Sequence, residues 1–326
     1  MATCADAVDM VTPLPPLIDE RPILIYGARG WIGGMMCSLL SAESRPFRVG
    51  EARANDAAAV RSEISACKPC WVLACLGRTH GVHDGTVYST IDFLEQKGRL
   101  KDNLRDNLEA PVTLAAVCHG LGVQCVQIAT GCIYLAADLE QIGSSPPFRE
   151  EDDANFTGSA YSTVKGATDR LLRLFASTTL FFRIRMPITH DRSSRSFLTK
   201  ILNYAKICSV PNSMSVLDGP EGLLSLFLRM ADAGYVGCYN ATNPGVMSHN
   251  EILSQYRAIC DSTFRWENFT VTEQAEVLDS ARSNCELDSA RLEEAAKALN
   301  FPLPTLSSAI TKVLMALKDM ETPAAL

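Results

Sequence analysis

Short apolar runs alternate along the first two-thirds of the chain with longer segments whose apolar residues recur every three or four positions. "PILIY" (22–26) predicts a buried strand, and "WIGGMMCSLLSA" (31–42) the helix after it. "PFRVG" (46–50) predicts a short second strand, "DAAAVRSEISAC" (56–67) an amphipathic helix and "CWVLACL" (70–76) a third strand. Residues 77–100 form a long irregular connection, a length at which loops often carry function. Then come a helix over 100–122 closed by glycine, a strand over 123–129, a helix over 160–177 and a strand over 179–186. Strands alternating with helices imply an α/β fold: a doubly wound parallel sheet, covered on both faces. Ligands in such sheets bind beyond the carboxyl ends of the strands, so the four main strand ends should face one cleft.

Beyond 187 the pattern loosens. "FLTKILNYAKI" (197–207) and "PEGLLSLFLRMADAG" (220–234) read as helices, and "YVGCYNA" (235–241) as a strand returning to the sheet. Helical segments follow near 249–261, 272–280, 288–298 and 305–319. The expected organisation is a loose leader over 1–20, a dinucleotide-binding unit of 21–187 plus 219–243, and a smaller, mostly helical substrate unit of 188–218 plus 244–326.

Composition narrows the function. With 326 residues, 47% hydrophobic and 21% charged, the chain reads as an ordinary soluble protein. No apolar run nears the ~20 residues of a membrane helix, and the first 20 residues lack the plan of a secretory signal. A net charge of −7 argues against a nucleic-acid partner. The 12 cysteines are scattered, several inside apolar runs, as in a reduced cytoplasmic protein. The pair Cys67/Cys70 has no second pair to complete a metal site, and no metal is expected.

The candidate chemistry lies at strand ends. "YGARGWIGG" places Gly27, Gly30 and Gly33 between the first strand and its helix, where a pyrophosphate can approach the backbone. Arg29, Trp31 and Ile32 lie in the same turn, and Ala74 in the third strand faces the same cofactor region. Arg53, after the second strand, can hold a ribose 2′-phosphate, which favours NADPH over NADH. Tyr161 and Lys165 stand four apart on one helix face, so the ammonium should lower the tyrosine pKa and fit it for proton exchange with a carbonyl oxygen. Thr130, ending the preceding strand, would bond the same oxygen.

These residues resemble an extended short-chain dehydrogenase/reductase. "LIYGARGWIGG", "ATGCIY", "FREEDDANFTGSAYSTVK", "RIRMPI", "FLTKI", "VPNSMSVLD", "NATNPGVMSHNEIL", "WENFT" and "RSN" are similar to one subgroup, over residues 22–290. That subgroup comprises the bifunctional nucleotide-4-keto-6-deoxyglucose 3,5-epimerase/4-reductases of nucleotide-L-rhamnose synthesis. The resemblance implies a nucleotide-sugar substrate, UDP- or dTDP-linked, and a homodimer. Inverting a carbon beside a ketone needs a base on one ring face and an acid on the other, and a thiol suits the base. The resemblance implies Cys132 as that base and Lys200 as the opposing acid. Thr79 and His80 in the long connection, Asn155, Asn212, Ser213, Asn243 and Arg282 are candidates to touch the substrate, and Met186 and Pro187 to pack beside the nicotinamide. Two other readings are a reductase without epimerase activity and a non-catalytic NADP-binding subunit. Cys132 and Lys200 weigh against the first, and the complete Thr130, Tyr161, Lys165 set against the second.

Overall fold

A computed structural model describes residues 20–321, so the expected leader lies, but for Glu20, outside the described residues. The first half runs β1 (Ile23–Tyr26), α1 (Trp31–Ala42), β2 (Phe47–Val49), α2 (Ala57–Cys67), β3 (Trp71–Ala74), β4 (Gly81–His83), β5 (Thr86–Tyr88), α3 (Asp92–Glu95), α4 (Leu100–Leu104), a π turn (Arg105–Glu109), α5 (Ala110–Leu121), β6 (Gln124–Thr130) and α6 (Ala160–Leu172). It continues β7 (Thr179–Ile184), α7 (Phe197–Asn203), β8 (Lys206–Cys208), α8 (Leu223–Asp232), β9 (Gly237–Asn240), α9 (His249–Ile259), β10 (Glu267–Phe269), α10 (Val271–Val277), α11 (Ala290–Ala298) and α12 (Leu306–Glu321).

Six strands form a parallel sheet in the order β2-β1-β3-β6-β7-β9. Side chains alternate between its faces, and both faces are dry. Ile23, Ile25, Leu73, Leu180 and Phe182 share one core with α1, α8 and α11, where Phe182 stacks on Phe227 at 3.9 Å between centroids. Leu24, Tyr26, Val72 and Ala74 enter a second core with α2 and α5. A third core joins Leu198 and Ile201 of α7 to residues of β8, α9 and α12. The sheet order reverses between β1 and β3, which is where a doubly wound fold opens its ligand crevice.

Local caps set the helix limits. Asp56 accepts from the amides of Ala58 and Ala59 to start α2, and Ser248 and Glu251 form a reciprocal capping box on α9. Gly122, at φ +65°, ends α5.

Three expectations change. The helical reading of 197–207 is corrected: α7 stops at Asn203, and Lys206–Cys208 pairs in parallel with Glu267–Phe269. Ile207 and Cys208 are buried by that pairing, so a distant strand overrides the local period. The 77–100 connection is partly regular, with an antiparallel β4–β5 hairpin turning at Asp84 and Gly85, followed by α3. The helix expected over 100–122 carries the π turn, and Asn107 within it clamps Arg78: its amide accepts from Arg78 N and donates to Arg78 O, both at 2.9 Å.

Candidate active site

The carboxyl ends of β1, β3, β6 and β7 open into one cavity of about 620 Å³. At one end lies the glycine turn. Gly27 has φ +85°, and a Cβ there would stand 2.3 Å from the Cys75 carbonyl oxygen. A Cβ on Gly33 would stand 2.2 Å from the Gly27 carbonyl oxygen, so only glycine lets α1 start this close to the strand. No side chain caps α1 and its first turn holds no acid, which leaves its N-terminal amides to an anion. The indole Nε1 of Trp31, beside that turn, is buried and has no hydrogen-bond partner among the described residues. Turn, bare helix end and spare donor fit a dinucleotide pyrophosphate. Gly30, Trp31 and Ile32 line the cavity, as do Met186 and Pro187. Gly27, Arg29, Gly33, Arg53 and Ala74 do not: the first and third shape the turn, Ala74 is packed into the second core, and the two arginines stand outside the closed part.

The strand-end set is brought together as expected. Thr130, Cys132, Tyr161 and Lys165 all line the cavity. The Tyr161 hydroxyl bonds that of Thr130, and Thr130 Oγ1 accepts the Cys132 amide at 3.1 Å, which ties the thiol-bearing turn to the same oxygen. Cys132 is half-buried, packs against the cluster of Tyr161, Phe93 and Leu94, and lines the cavity. Ser159 caps α6 by accepting the Ser162 amide at 3.0 Å, and Glu95 of α3 accepts the Ala160 amide at 2.8 Å. Below them Asp169 takes two 2.8 Å bonds from fully buried Arg183, which fixes α6 to β7.

The expected lowering of Tyr161 by Lys165 is corrected. Burial pushes Tyr161 well above the ordinary tyrosine range, with the Cys132 thiol adding and the Thr130 bond opposing, and Lys165 contributes nothing resolved. Burial also pushes Lys165 down to about 8, with Asp169 opposing. Desolvation favours the neutral form of both groups. A phenol that keeps its proton is an acid in waiting, as protonation of a ketone oxygen requires.

Another part of the lining is built from loops and short elements. Lys200, in the last turn of α7, lines the cavity and donates to Ser89 O at 3.3 Å. Burial, then Arg195 and Arg282, push it down to about 8. Thr79 and His80 line the cavity, and burial, then Arg195, Arg78 and Lys200, lower His80. Arg282 also lines it, bonded to Asp92 Oδ2 at 2.5 Å and Oδ1 at 3.3 Å. Burial alone would raise Asp92; the hydrogen bonds of Arg282, Thr90 and Ser280 outweigh it and hold the carboxyl below its ordinary value. Gln96 and Asp279 add a second strap at 2.9 Å between the same two segments.

Four expected substrate contacts do not line the cavity. Asn155 spans the turn after β6 by bonding Leu135 N and O at 2.9 and 3.0 Å. Asn212 accepts from buried Arg185 at 2.6 Å, Ser213 accepts the Leu287 amide at 2.9 Å, and Asn243 accepts the Val216 amide at 2.8 Å. Their polar atoms are spent on backbone and framework. The sequence reading had missed Asp92, Asn107, Arg195, Tyr204, Lys206 and Phe269, all of which line the cavity. Of these, Arg195, close ahead of "FLTK", and Phe269, inside "WENFT", carry a local signal. Among the described residues no group of three or more His, Cys, Asp or Glu is placed to hold a metal ion, and no helix is long and apolar enough to cross a membrane.

No protein-family model matches the chain. It is 41% identical over 295 residues to protein L780 of Acanthamoeba polyphaga mimivirus, covering 90% of this chain and 98% of that one. The crystal structure of L780, described as a UDP-rhamnose synthase, superposes with a TM-score of 0.85 at 40% identity, over 90% of this chain and 99% of that one. The chain is 39% identical over 271 residues to a bifunctional dTDP-4-dehydrorhamnose 3,5-epimerase/dTDP-4-dehydrorhamnose reductase of Arabidopsis thaliana, covering 83% and 86%. The dTDP-4-dehydrorhamnose reductase of Bacillus anthracis, solved with NADP, shares the fold alone: TM-score 0.70, 12% identity, coverage 90% and 99%. With Tyr161, Thr130 and Cys132 around one cavity, these likenesses place the chain in the family of bifunctional nucleotide-4-dehydrorhamnose 3,5-epimerase/4-reductases, extended short-chain dehydrogenase/reductases by fold.

Proposed function

We propose that the protein epimerises a nucleotide-4-keto-6-deoxyglucose at carbons 3 and 5 and reduces the product at carbon 4 to nucleotide-L-rhamnose. The observation that carries this reading is that Cys132, Tyr161, Thr130 and Lys200 line one cavity with the glycine turn. Thr130 and Tyr161 polarise the ketone oxygen and hold the enolate that develops on it. The Cys132 thiolate removes a proton from the carbon beside the ketone, and the Lys200 ammonium returns one to the other face; the thiol then gives its proton to solvent, the amine takes one back, and the exchange repeats at the second carbon. Tyr161 then protonates the oxygen as carbon 4 is reduced. A bound NADPH supplies the hydride for that step, held by the glycine turn and the bare N-terminus of α1. Arg29 and Arg53 support NADPH over NADH. Residues 21–187 with 219–243 would carry the dinucleotide, and 188–218 with 244–326 would close over the sugar. The family likeness further implies a homodimer, which light scattering tests.

The test is incubation with UDP- or dTDP-4-keto-6-deoxyglucose and NADPH in D₂O. Nucleotide-L-rhamnose carrying deuterium at carbons 3 and 5 is expected. A reduced sugar that keeps the gluco configuration and its original hydrogens there would leave a simple ketone reductase.

A further inference from the structure

Arg195 precedes Lys200 by five residues, in the loop that leads into α7. Its Nη2 donates to Thr79 Oγ1 at 2.6 Å and its Nη1 to Ser89 O at 3.3 Å. Lys200 Nζ donates to that same Ser89 oxygen at 3.3 Å. Two cations therefore converge on one carbonyl of the long connection, and both line the cavity. Among the described residues neither is paired with a carboxylate; Arg282 and His80 interact with the amine or its neighbours, Tyr204, Lys206, Cys132, Tyr161 and Lys165 share its cavity, and Asp92, which also lines it, is held by Arg282.

We propose that Arg195 is a positioning residue for the second proton transfer: by gripping Thr79 and Ser89 it fixes the carbonyl on which Lys200 rests, and so sets where that amine stands in the cavity. The inference rests on the reading of Lys200 as the proton donor. A guanidinium suits the task because its rigid planar fork holds two acceptors in a fixed geometry, which the rotating donors of a lysine do not. It also keeps its charge at every working pH, so of two crowded cations only Lys200 can release a proton. The second effect agrees with the downward push that Arg195 exerts on the amine.

The experiment compares Arg195→Gln, Arg195→Lys and Lys200→Met with the unaltered protein. UDP-4-keto-6-deoxyglucose in D₂O reports exchange at carbons 3 and 5, and the already epimerised 4-keto sugar nucleotide with NADPH reports reduction alone. Exchange should fall at least 10-fold in Arg195→Gln while reduction falls several-fold less, and the alkaline limb of exchange should move to higher pH. Arg195→Lys should leave that limb in place yet lose most of the exchange rate, because charge returns without the fork. Equal losses in both assays would make Arg195 a substrate clamp and overturn the proposal. So would unchanged exchange, or a limb that stays put in Arg195→Gln. If Lys200→Met exchanges normally, the proton-donor reading itself falls and takes this inference with it; if it loses exchange while Arg195→Gln does not, only the positioning role falls.

Discussion

The two walls of the cavity are made differently. Tyr161, Lys165 and Thr130 stand on a seven-residue strand and a capped helix, locked by the Arg183–Asp169 pair beneath. Lys200, Arg195 and Arg282 stand on a short helix and two loops, held by side-chain straps to Ser89, Thr79 and Asp92. The first wall inherits its accuracy from backbone hydrogen bonding and two dry cores. The second depends on a few bonds, each contributing roughly 1–3 kcal/mol where a charge is involved. On the proposed mechanism reduction uses the rigid wall, and double inversion also needs the strapped one.

Substitutions can break this contrast. The largest effect is expected for Tyr161→Phe, where reduction of the epimerised ketone should fall by about 10²–10⁴, the usual range for a lost general acid. Cys132→Ser should lower deuterium exchange by a similar factor while reduction of that ketone falls far less; equal losses in the two assays would mean that the walls do not divide the labour.

The next effect is on pH. Lys200 is pushed down to about 8, so its proton is present below that value and lost above it. Loss of that proton should give exchange an alkaline limb. Reduction should carry its own alkaline limb, because Lys165 is also pushed down to about 8; the Arg195→Gln variant separates the two, since only the exchange limb should move.

A smaller effect is expected from the strap. Asp92→Asn should raise KM for the nucleotide sugar about tenfold, a 1.4 kcal/mol effect, by freeing Arg282 from its fixed pose. The carboxyl of Asp92 is held below its ordinary value, so the ion pair's stabilisation is complete above the unfolded value of about 4 and fades as pH falls through the lowered one. Acid melting curves of the native protein and Asp92→Asn should accordingly converge at low pH. The smallest change belongs to Asn155→Ala: a stability loss of about 1 kcal/mol in denaturant titration, with KM untouched, because its amide closes a turn and does not reach the cavity.

The rigid wall was legible in the sequence because it is local. Gly27, Gly30 and Gly33 follow a four-residue apolar run, Tyr161 and Lys165 share a helix face, and Thr130 ends a strand with Cys132 two residues beyond it. The strapped wall was half legible. Lys200 could be named by family likeness, but the partnership of Asp92 with Arg282 joins residues 190 positions apart, and no periodicity records it. Asn212, Ser213 and Asn243 misled for the opposite reason. A polar residue in a loop-like string looks available, yet each is buried and bonded to framework. The Tyr161–Lys165 spacing was read correctly as geometry, while its electrostatic consequence was not, since desolvation depends on what packs around both groups.

Glu95 gives the 77–100 connection a meaning beyond its length. Its carboxylate takes the amide of Ala160, one residue before the reactive phenol, so ordering of the connection and placement of the phenol are a single event. Anyone exchanging that segment with a relative's to change sugar preference must carry a carboxylate to the same amide, or the graft will disturb the chemistry it was meant only to redirect.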